Sequence, residues 1–297
     1  MATLADVLNA NPGLQRRLFF LARRFVPGET IDDALAAVRT LNALGLSASL
    51  DFLGEDVAAE TEASNNTAVY REMVERIAGG GFDANISVKL TAIGQSIAED
   101  LAMANLNSII ETARPHDMFI RLDMEGSATV DSTYRILDRA LATYSHIGPV
   151  VQAYLNRAER DVERLIERRL RVRLCKGAYR EPPSVAIQKM SLIRQNYLAL
   201  AQRLLSAGIY PGIATHDQYL IDAVKGFVER QRLSRGSFEF QMLYGIRTEA
   251  QKAIVREGYR MRVYVPFGTH WAGYFYRRLT ERKENVLFVL RNLFTAR

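Results

Sequence analysis

Short runs of β-forming residues alternate with helical stretches from about residue 46 to the end of the chain. In the helical stretch NRAERDVERLIERRL, for example, Val162, Leu165 and Ile166 share one face and charged residues occupy the other. Regular strand–helix repetition predicts parallel strands joined by right-handed crossovers. Eight such units close into a barrel, so the sequence predicts an α/β protein with a (β/α)8 fold. The eight β-rich runs are SASLDFLG (47–54), ANISVKLT (84–91), DMFIRLDME (117–125), GPVVQAYL (148–155), LRVRLCKGAY (170–179), GIYPGIATHD (208–217), SFEFQML (237–243) and MRVYVPFG (261–268).

The first 45 residues precede these repeats and carry a different pattern. An apolar stripe lies on a basic helix, Pro27-Gly28 breaks that helix, and a second helix is predicted from about Ile31 to Ala43. We expect residues 1–45 to pack on the outside of a catalytic barrel formed by residues 46–297, within one domain overall. A helix lying on a membrane surface is the alternative. The stripe consists of Leu14, Leu18, Leu21, Ala22 and Phe25.

Length and composition agree with a single enzyme domain. The 297 residues exceed the roughly 250 of a typical barrel by a few helices. The single cysteine, Cys175, cannot form an intrachain disulfide and favours a reducing, cytoplasmic location. Four histidines and one cysteine leave little material for a metal site, and no metal is expected. Motifs of zinc peptidases, P-loop nucleotide hydrolases, serine hydrolases and Rossmann proteins are absent from the sequence.

The net charge of the chain excludes few classes of binding partner. A net charge of +6 is modest, and without a nucleic-acid-binding motif we expect no nucleic acid partner. No run approaches the length of a transmembrane helix, and the N-terminus lacks the pattern of a secretory signal. The C-terminal run VLFVLRNLF is read as a helix packing on the barrel, with peripheral contact at the cytoplasmic membrane as the alternative.

Polar side chains gather where the predicted strands end. Barrel enzymes carry their chemistry at the carboxyl ends of the strands, and a barrel built for stability alone has little reason to desolvate so many charges there. Each residue alone is weak evidence, because most charged residues are simply exposed. Together they predict a functional site at one end of the barrel. They are Glu55, Lys89, Asp123, Glu125, Gln152, Tyr154, Arg173, Lys176, Thr215, His216 and Tyr264.

The last helix adds a compact charged group. Arg277 and Arg278 precede Glu281 by four and three residues, so the three side chains can share one turn. An exposed salt-bridged face is the ordinary interpretation of such spacing. Aromatic residues immediately before the pair favour a partly buried helix instead. Two guanidiniums and one carboxylate could bind a zwitterion, with the arginines on its carboxylate and the glutamate facing its ammonium.

A series of short motifs then identifies a family resemblance. VKLTAIG, RLDMEG, VVQAYL, VRLCKGAYRE, ATHD, FEFQML and RVYVPFG, followed by YRRLTE, occur in the order seen in proline dehydrogenases. The resemblance spans roughly residues 47 to 290, and LCKGAY, ATHD and YRRLTE are its specific parts. It implies a distorted (β/α)8 barrel that binds FAD non-covalently and oxidises L-proline to Δ1-pyrroline-5-carboxylate, the first step of proline catabolism. It also implies a membrane quinone as electron acceptor.

The resemblance implies a role for each matching residue. Asp123 and Arg173 match the catalytic positions, with Arg173 beside the flavin ring. Lys89, Arg277 and Arg278 would hold the substrate carboxylate, with Glu281 near the amine. Glu55 would pair with Arg277 as a gate. The residues expected around the proline ring are Ala178, Leu243 and Tyr264, and those expected to contact FAD are Met124, Gln152, Arg173, Lys176, Gly177, Ala178, Thr215 and His216.

Two departures and two alternatives accompany the resemblance. Arg180 stands where some members of the family carry an aromatic residue near the adenosine. The 297 residues leave no room for the aldehyde dehydrogenase domain of bifunctional relatives, so we expect functional coupling to a separate pyrroline-5-carboxylate dehydrogenase. One alternative is a Schiff-base lyase that uses Lys89 or Lys176. The other is a barrel that binds amino acids without chemistry.

Overall fold

The computed structural model describes residues 11–280, in which eight parallel strands form a closed barrel in chain order. β8 pairs with β1 in parallel register, with Ser47 opposite Arg262, and this pairing closes the barrel. The predicted (β/α)8 class is therefore confirmed. The strands are β1 (Ser47–Phe52), β2 (Ala84–Val88), β3 (Ile120–Leu122), β4 (Ile147–Gln152), β5 (Arg173–Cys175), β6 (Gly212–Ala214), β7 (Glu239–Leu243) and β8 (Arg260–Phe267).

Helices connect the strands and also precede the barrel. The second N-terminal helix has the predicted bounds, and its start is fixed by a capping box in which Thr30 and Asp33 bond each other's backbone amides. The helices are α1 (Pro12–Ala22), α2 (Ile31–Ala43), α3 (Glu60–Gly79), α4 (Glu99–Ala113), α5 (Val130–Leu141), α6 (Ala158–Glu167), α7 (Met190–Ala207), α8 (Gln218–Arg230), α9 (Thr248–Arg256) and α10 (Trp271–Thr280).

Each predicted β-rich run overlaps a strand, although β4 and β8 begin one residue before their runs and most of the strands are shorter than the runs. Thr91 opens a short 3-10 helix (Thr91–Ile93) beyond β2, and the KGAY segment is a loop beyond β5. The prediction of an apolar stripe on the first helix was partly wrong. Leu14 is exposed, and Phe25 lies beyond the end of the helix although it is buried. Loops at the strand ends account for most of the surplus residues.

The outer layer of helices explains why the barrel is distorted. α2 packs against β1 and β8, the position that the helix following β8 occupies in a regular barrel. α10 instead contacts α1 and belongs to a small second core with Leu53, Phe25 and Trp271. α10 therefore carries Arg277 and Arg278 away from the barrel exterior, near the loop that follows β1.

The main hydrophobic core lies between the strands and the surrounding helices. The barrel interior, by contrast, is lined largely by polar side chains that alternate with these apolar ones along each strand. Ser49 and Asp51 of β1 face inward, for example, while Ala48 and Leu50 pack under the helices. Within the described residues, no helix is both long and apolar enough to cross a membrane.

Candidate active site

A buried ion pair joins the first two strands at the C-terminal end of the barrel. Lys89 Nζ lies 2.5 and 2.6 Å from the two carboxylate oxygens of Asp51, and both side chains are almost fully buried. Burial raises the pKa of Asp51 to about 6 even though Lys89 opposes the shift. Burial alone would lower the pKa of Lys89, but the carboxylates of Asp51, Asp123 and Glu55 raise it above its ordinary value. Lys89 is therefore held as an ammonium.

A second buried pair lies beside the first. Asp123 Oδ1 accepts hydrogen bonds from Arg173 Nη1 at 2.7 Å and from Ser87 Oγ at 2.6 Å. Its other oxygen accepts from the Tyr264 hydroxyl at 2.7 Å. The Arg173 guanidinium also stands over the Tyr264 ring, 5.3 Å from its centroid. Lys89 Nζ lies 3.4 Å from the same hydroxyl, so Tyr264 links the two ion pairs into one network.

Arg173 is fixed from below by a neutral side chain. Gln241 Oε1 accepts from Arg173 Nε at 2.5 Å, and Gln241 Nε2 donates to Glu239 Oε1 at 2.6 Å. Glu239 is itself held by Arg262 Nε at 2.7 Å. A Cβ at Gly212 would lie 2.4 Å from Gln241 Nε2, so glycine at that position makes room for the amide. These bonds leave the Arg173 guanidinium only one orientation at the base of the site.

A third ion pair lies above the barrel. Arg277 Nη1 of α10 donates to Glu55 Oε1 at 2.7 Å, with each side chain about one third exposed. Burial opposes the charge on Arg277, but Glu55 raises its pKa overall. Arg278 is 7% exposed and its guanidinium stacks 5.1 Å from the Tyr274 ring centroid. Glu281 lies outside the described residues, so its expected place near the substrate amine stays a prediction.

The loop after β5 has a conformation that depends on glycine. Gly177 has φ of +111°, and a Cβ there would come within 2.2 Å of the Tyr154 ring. Burial raises the pKa of Tyr154 above its ordinary value. Ala178, the next residue, is exposed. The loop thus passes close over Tyr154 and presents its backbone at the C-terminal face.

Two cations share one carboxylate next to this loop. Asp217 accepts from Arg194 Nε at 2.7 Å, and Lys176 Nζ lies 3.4 Å from the same oxygen. Burial opposes ionisation of Asp217, but Arg194 and Lys176 lower its pKa below the ordinary value. The three side chains carry a net charge of +1, which favours an anionic group nearby.

The remaining candidate cofactor residues lie on the neighbouring strand ends. Gln152 Nε2 donates to the Glu125 carbonyl at 2.8 Å, and Met124 is buried. Thr215 Oγ1 accepts from the Asp217 backbone amide. His216 Nε2 accepts from the Leu243 amide at 2.9 Å, so that ring nitrogen carries no proton. All of the described candidate residues thus belong to one end of the barrel.

Several residues of the network were missed from the sequence. Asp51, Ser87 and Gln241 lie inside strands, where the prediction considered only strand ends. Polar residues at every second position, as in Ser49-Leu50-Asp51, were the available signal. Tyr179 was also missed. Burial, and then the charge of the Glu55 carboxylate, raise the pKa of its hydroxyl above the ordinary value.

The fold and this network define the class of the protein. An eight-stranded βα barrel with charged residues converging at the C-terminal ends of its strands is the arrangement of a barrel enzyme. Residues 34–291 match the family model described as proline dehydrogenase. The chain belongs to the proline dehydrogenase family, whose activity is the first step of proline catabolism.

Individual relatives agree with this assignment. Proline dehydrogenase 1 of Bacillus subtilis subsp. natto is 40% identical over 272 residues, which are 92% of this chain and 90% of the relative. Proline dehydrogenase of Deinococcus radiodurans is 38% identical over 98% of this chain and 96% of the relative. Among solved structures, proline utilization A from Bdellovibrio bacteriovorus inactivated by N-propargylglycine superposes with a TM-score of 0.83 at 27% identity. That match covers 91% of this chain and 33% of the longer protein.

Proposed function

We propose that the C-terminal face of the barrel oxidises L-proline to Δ1-pyrroline-5-carboxylate, using non-covalently bound FAD as the hydride acceptor and a quinone as the final electron acceptor. The network that joins Lys89–Asp51 to Asp123–Arg173 through Tyr264 carries the proposal. It gathers buried, oriented charges next to two arginines on α10, as a small zwitterionic substrate requires.

The substrate carboxylate would be bound by three cations. Arg278 supplies a nearly buried, planar guanidinium, and Lys89 supplies an ammonium already fixed by Asp51. Arg277 is the more exposed of the two arginines and is paired with Glu55, so it could exchange that carboxylate for the substrate's. We propose that this exchange closes the site, with Tyr264, Leu243 and Ala178 around the proline ring and Glu281 near the amine.

The same cations would help to deprotonate the substrate amine. Loss of hydride from the carbon next to nitrogen is assisted when the amine is neutral, whereas free proline is protonated near neutral pH. A secondary ammonium bound among Lys89, Arg277 and Arg278 has its pKa lowered by burial and by their positive charges. These residues would thus contribute to the reaction as well as to affinity.

Features of the C-terminal face fit a flavin dinucleotide. The positive φ of Gly177 lets the backbone approach closely, and the Tyr154 ring lies directly against it. The group formed by Asp217, Arg194 and Lys176 has a net positive charge, which suits a pyrophosphate. Lys176 is the cation of this group that lies in the loop after β5. Gln152, Met124, Thr215 and His216 are the further residues that we propose hold the cofactor.

Arg173 and Asp123 would be the catalytic pair. When bound, the flavin supplies the hydride acceptor and the route for electrons to the quinone. Arg173, locked by Gln241 and Asp123, would provide a fixed positive charge next to the flavin ring. Asp123 would hold that guanidinium in place and, through Tyr264, orient the wall of the substrate site.

The structure argues against the Schiff-base alternative at Lys89. A lysine nucleophile must be neutral, whereas Lys89 is bonded to both oxygens of Asp51 and has a raised pKa. Borohydride with a carbonyl substrate should therefore trap no lysine adduct. A trapped adduct on Lys89 or Lys176 would support the lyase.

Flavin bleaching tests the proposed function. Purified protein should be yellow, and its absorbance should bleach when L-proline is added without oxygen. Colourless protein that takes up no added FAD would overturn the flavin assignment. Yellow protein that proline does not bleach would overturn the substrate. Hydroxyproline, added in a parallel sample, measures the selectivity of the ring contacts.

Electron transfer to a quinone would bring the protein to the cytoplasmic membrane as a peripheral partner. The product would pass to a separate pyrroline-5-carboxylate dehydrogenase. Co-sedimentation of the protein with quinone-containing vesicles, before and after reduction by proline, measures the membrane contact.

A further inference from the structure

The loop between β5 and α7, residues 176–189, is anchored near both of its ends. The Lys176 carbonyl accepts a hydrogen bond from the Tyr154 amide at 2.9 Å. On the return side, the Ile187 amide donates to the Tyr154 carbonyl at 2.7 Å. Both ends of the loop therefore meet the same residue of the segment that follows β4.

Between these two anchors, Glu181 reaches a different strand end. Its Oε1 accepts from the Ser127 amide at 2.6 Å, and its Oε2 accepts from the Ser127 hydroxyl at 2.5 Å. Ser127 opens the short 3-10 helix Ser127–Thr129, which leads from β3 into α5. The first amides of a helix lack partners within it, and its N-terminus favours negative charge. Glu181 thus supplies a charged acceptor to the start of this helix.

The contact between Glu181 and Ser127 spans the end of a strand. In the barrel β4 lies between β3 and β5, and Glu181 belongs to the loop after β5 while Ser127 follows β3. The loop must therefore pass the carboxyl end of β4. The proposed flavin contacts Met124, Gln152 and Lys176–Ala178 lie at the ends of these same three strands. Glu181 is not one of these contacts, but its bonds to Ser127 set the spacing of the segments that carry them.

The local sequence prepares Glu181 for this contact. Pro182-Pro183 follow it, and a proline restricts the residue before it to an extended conformation. The Pro182 carbonyl accepts from the amides of Val185 and Ala186 at 3.0 and 3.1 Å, which turns the chain back toward α7. The direction of the backbone at Glu181 is therefore fixed locally, so little conformational entropy is lost when the carboxylate binds.

Burial does not fix the preceding part of the loop. Ala178 and Arg180 are exposed, and Tyr179 between them is only partly buried. An exposed segment with few buried contacts opens at a low free energy. A pair of hydrogen bonds to a carboxylate at the end of such a segment therefore contributes much of its order.

We propose that Glu181 is a positioning residue for the cofactor, which by binding Ser127 holds residues 176–181 past the end of β4 in the conformation that contacts the flavin dinucleotide. Glu181 would act through this loop without touching the flavin. A loop that is ordered before binding loses less entropy when the ligand arrives, so the contact should increase the affinity for FAD. The inference rests on the proposed function, because FAD is the ligand of this face only in that proposal.

Titration of the flavin-free, full-length protein with FAD measures the effect through the quenching of flavin fluorescence. Glu181→Leu removes both acceptors and should weaken FAD binding about tenfold. Glu181→Gln keeps one acceptor, and Ser127→Ala keeps the bond to the backbone amide. Each of these two variants should weaken binding about threefold. Thermal melting before each titration establishes that the variant is folded.

A double variant tests whether Glu181 acts through Ser127. Ser127→Ala added to Glu181→Leu should cause no further loss, whereas independent contributions would multiply to about thirtyfold. Direct contact of Glu181 with the flavin predicts instead that Ser127→Ala alone leaves the affinity unchanged. That result would overturn the positioning role.

A similar pair at the opposite end of the barrel provides the control. Ser47 Oγ donates to Asp83 Oδ2 at 2.6 Å at the start of β1. Ser47→Ala and Asp83→Asn break a bond between the same chemical groups and should leave FAD affinity within about twofold of wild type. Equal weakening by the control variants would show that the effect of Glu181 comes from general loosening of the fold, and the inference would fail.

The titration also separates this inference from the proposed function. Wild-type protein that binds no FAD would overturn both. Wild-type protein that binds FAD with an affinity unchanged in Glu181→Leu would overturn the inference alone and leave the proposed function standing. If Glu181→Leu does not fold, Glu181→Gln and Ser127→Ala decide the question, and unchanged affinity in both would contradict the inference.

Discussion

The two ends of the barrel differ in how they hold buried charge. At the C-terminal end Lys89 faces Asp51 and Arg173 faces Asp123, at hydrogen-bonding distance. At the N-terminal end Arg121, on the strand that leads to Asp123, donates to peptide carbonyls and forms no ion pair within residues 11–280. The chain therefore supplies carboxylates where cations must be oriented for chemistry. At the other end Arg262 still has the carboxylate of Glu239, but Arg121 is held by peptide dipoles beside an open cavity.

This difference separates two uses of arginine. A paired guanidinium is fixed in orientation and can stabilise charge that develops during a reaction. A buried guanidinium without a carboxylate partner lowers the stability of the fold unless dipoles offset its desolvation. Variants at each end should therefore change different measured quantities.

The largest expected effect on activity comes from comparing two single variants, each of which removes one arginine from one end of the barrel. Arg173→Met leaves Asp123 without its cation and Gln241 without its donor. We expect kcat/KM for proline to fall about a thousandfold, or about 4 kcal/mol. Arg121→Met should lower the melting temperature, because Arg121 is buried in the barrel. Its kcat in the folded, flavin-loaded protein should stay within about twofold of wild type, because Arg121 lies at the end opposite the candidate active site. Dye reduction by proline and thermal melting measure the two. An equal loss of kcat in both variants would remove the distinction between the ends.

The second prediction concerns pH. Burial raises the pKa of Glu125 to about 7 from 4.5, so the folded state keeps a proton that the unfolded state has released in this range. Stability from this group is present below pH 4.5 and is lost as pH rises to about 7. Glu125→Gln removes this loss, so its stability relative to wild type should increase with pH by at most about 3 kcal/mol.

Denaturant unfolding across this pH range measures the Glu125 effect. Glu111→Gln, a change at an exposed position of α4, is the control and should follow wild type. Parallel stability curves for wild type and Glu125→Gln would show that Glu125 is ionised in the folded state. The catalytic end would then contribute less to the pH dependence.

The third prediction tests the arginines of α10. Arg278→Lys keeps the charge but loses the fork and the stacking on Tyr274, so KM for proline should rise about thirtyfold, or about 2 kcal/mol, with kcat less affected. Arg277→Lys is the matched change at a more exposed pair and should cost below about 1 kcal/mol. Steady-state kinetics measure both. If the two variants behaved alike, Arg278 would not be the main carboxylate clamp.

The smallest effect is expected below the catalytic pair. Gln241→Leu removes the acceptor of Arg173 Nε, and kcat should fall about tenfold, or about 1.4 kcal/mol, with KM nearly unchanged. Gly212→Ala should have a similar effect, because its Cβ would displace the Gln241 amide. Gly79→Ala, where a Cβ meets nothing within 4 Å, is the control. A rise in KM without a fall in kcat would show that Gln241 acts on the substrate site instead.

Much of the fold could be predicted from alternation along the chain. The eight β-rich runs each overlap a strand, and the helix at Ile31–Ala43 has the predicted bounds because its cap is a local signal. Strand ends were overestimated where the β-rich runs continue into the loops that follow the strands, as at Thr91 and Gly177. The β-propensity of a residue does not predict a loop conformation that tertiary contacts impose.

The interior of the barrel was harder to predict. Asp51 and Gln241 are buried polar residues that alternate with apolar ones along their strands. A strand with one solvent-exposed face has the same alternation, so periodicity alone does not distinguish an exposed polar face from a polar barrel interior. The sequence also did not predict that α2 takes the barrel position that the helix after β8 occupies in a regular barrel. Nothing local to α10 indicates that its position on the barrel is taken by α2, because that choice depends on contacts more than two hundred residues apart.

The small core under α10 has a consequence for affinity. Trp271 and Phe275 pack with Phe25 of the N-terminal segment, apart from the main core of the barrel. A cooperative unit with few contacts to the rest of a molecule opens at a lower free energy than the whole fold. The segment that carries Arg277 and Arg278 should therefore detach by local unfolding before the strands separate. Warming would then weaken proline binding while the barrel is still folded, and amide hydrogen exchange in Trp271–Thr280 would report that opening.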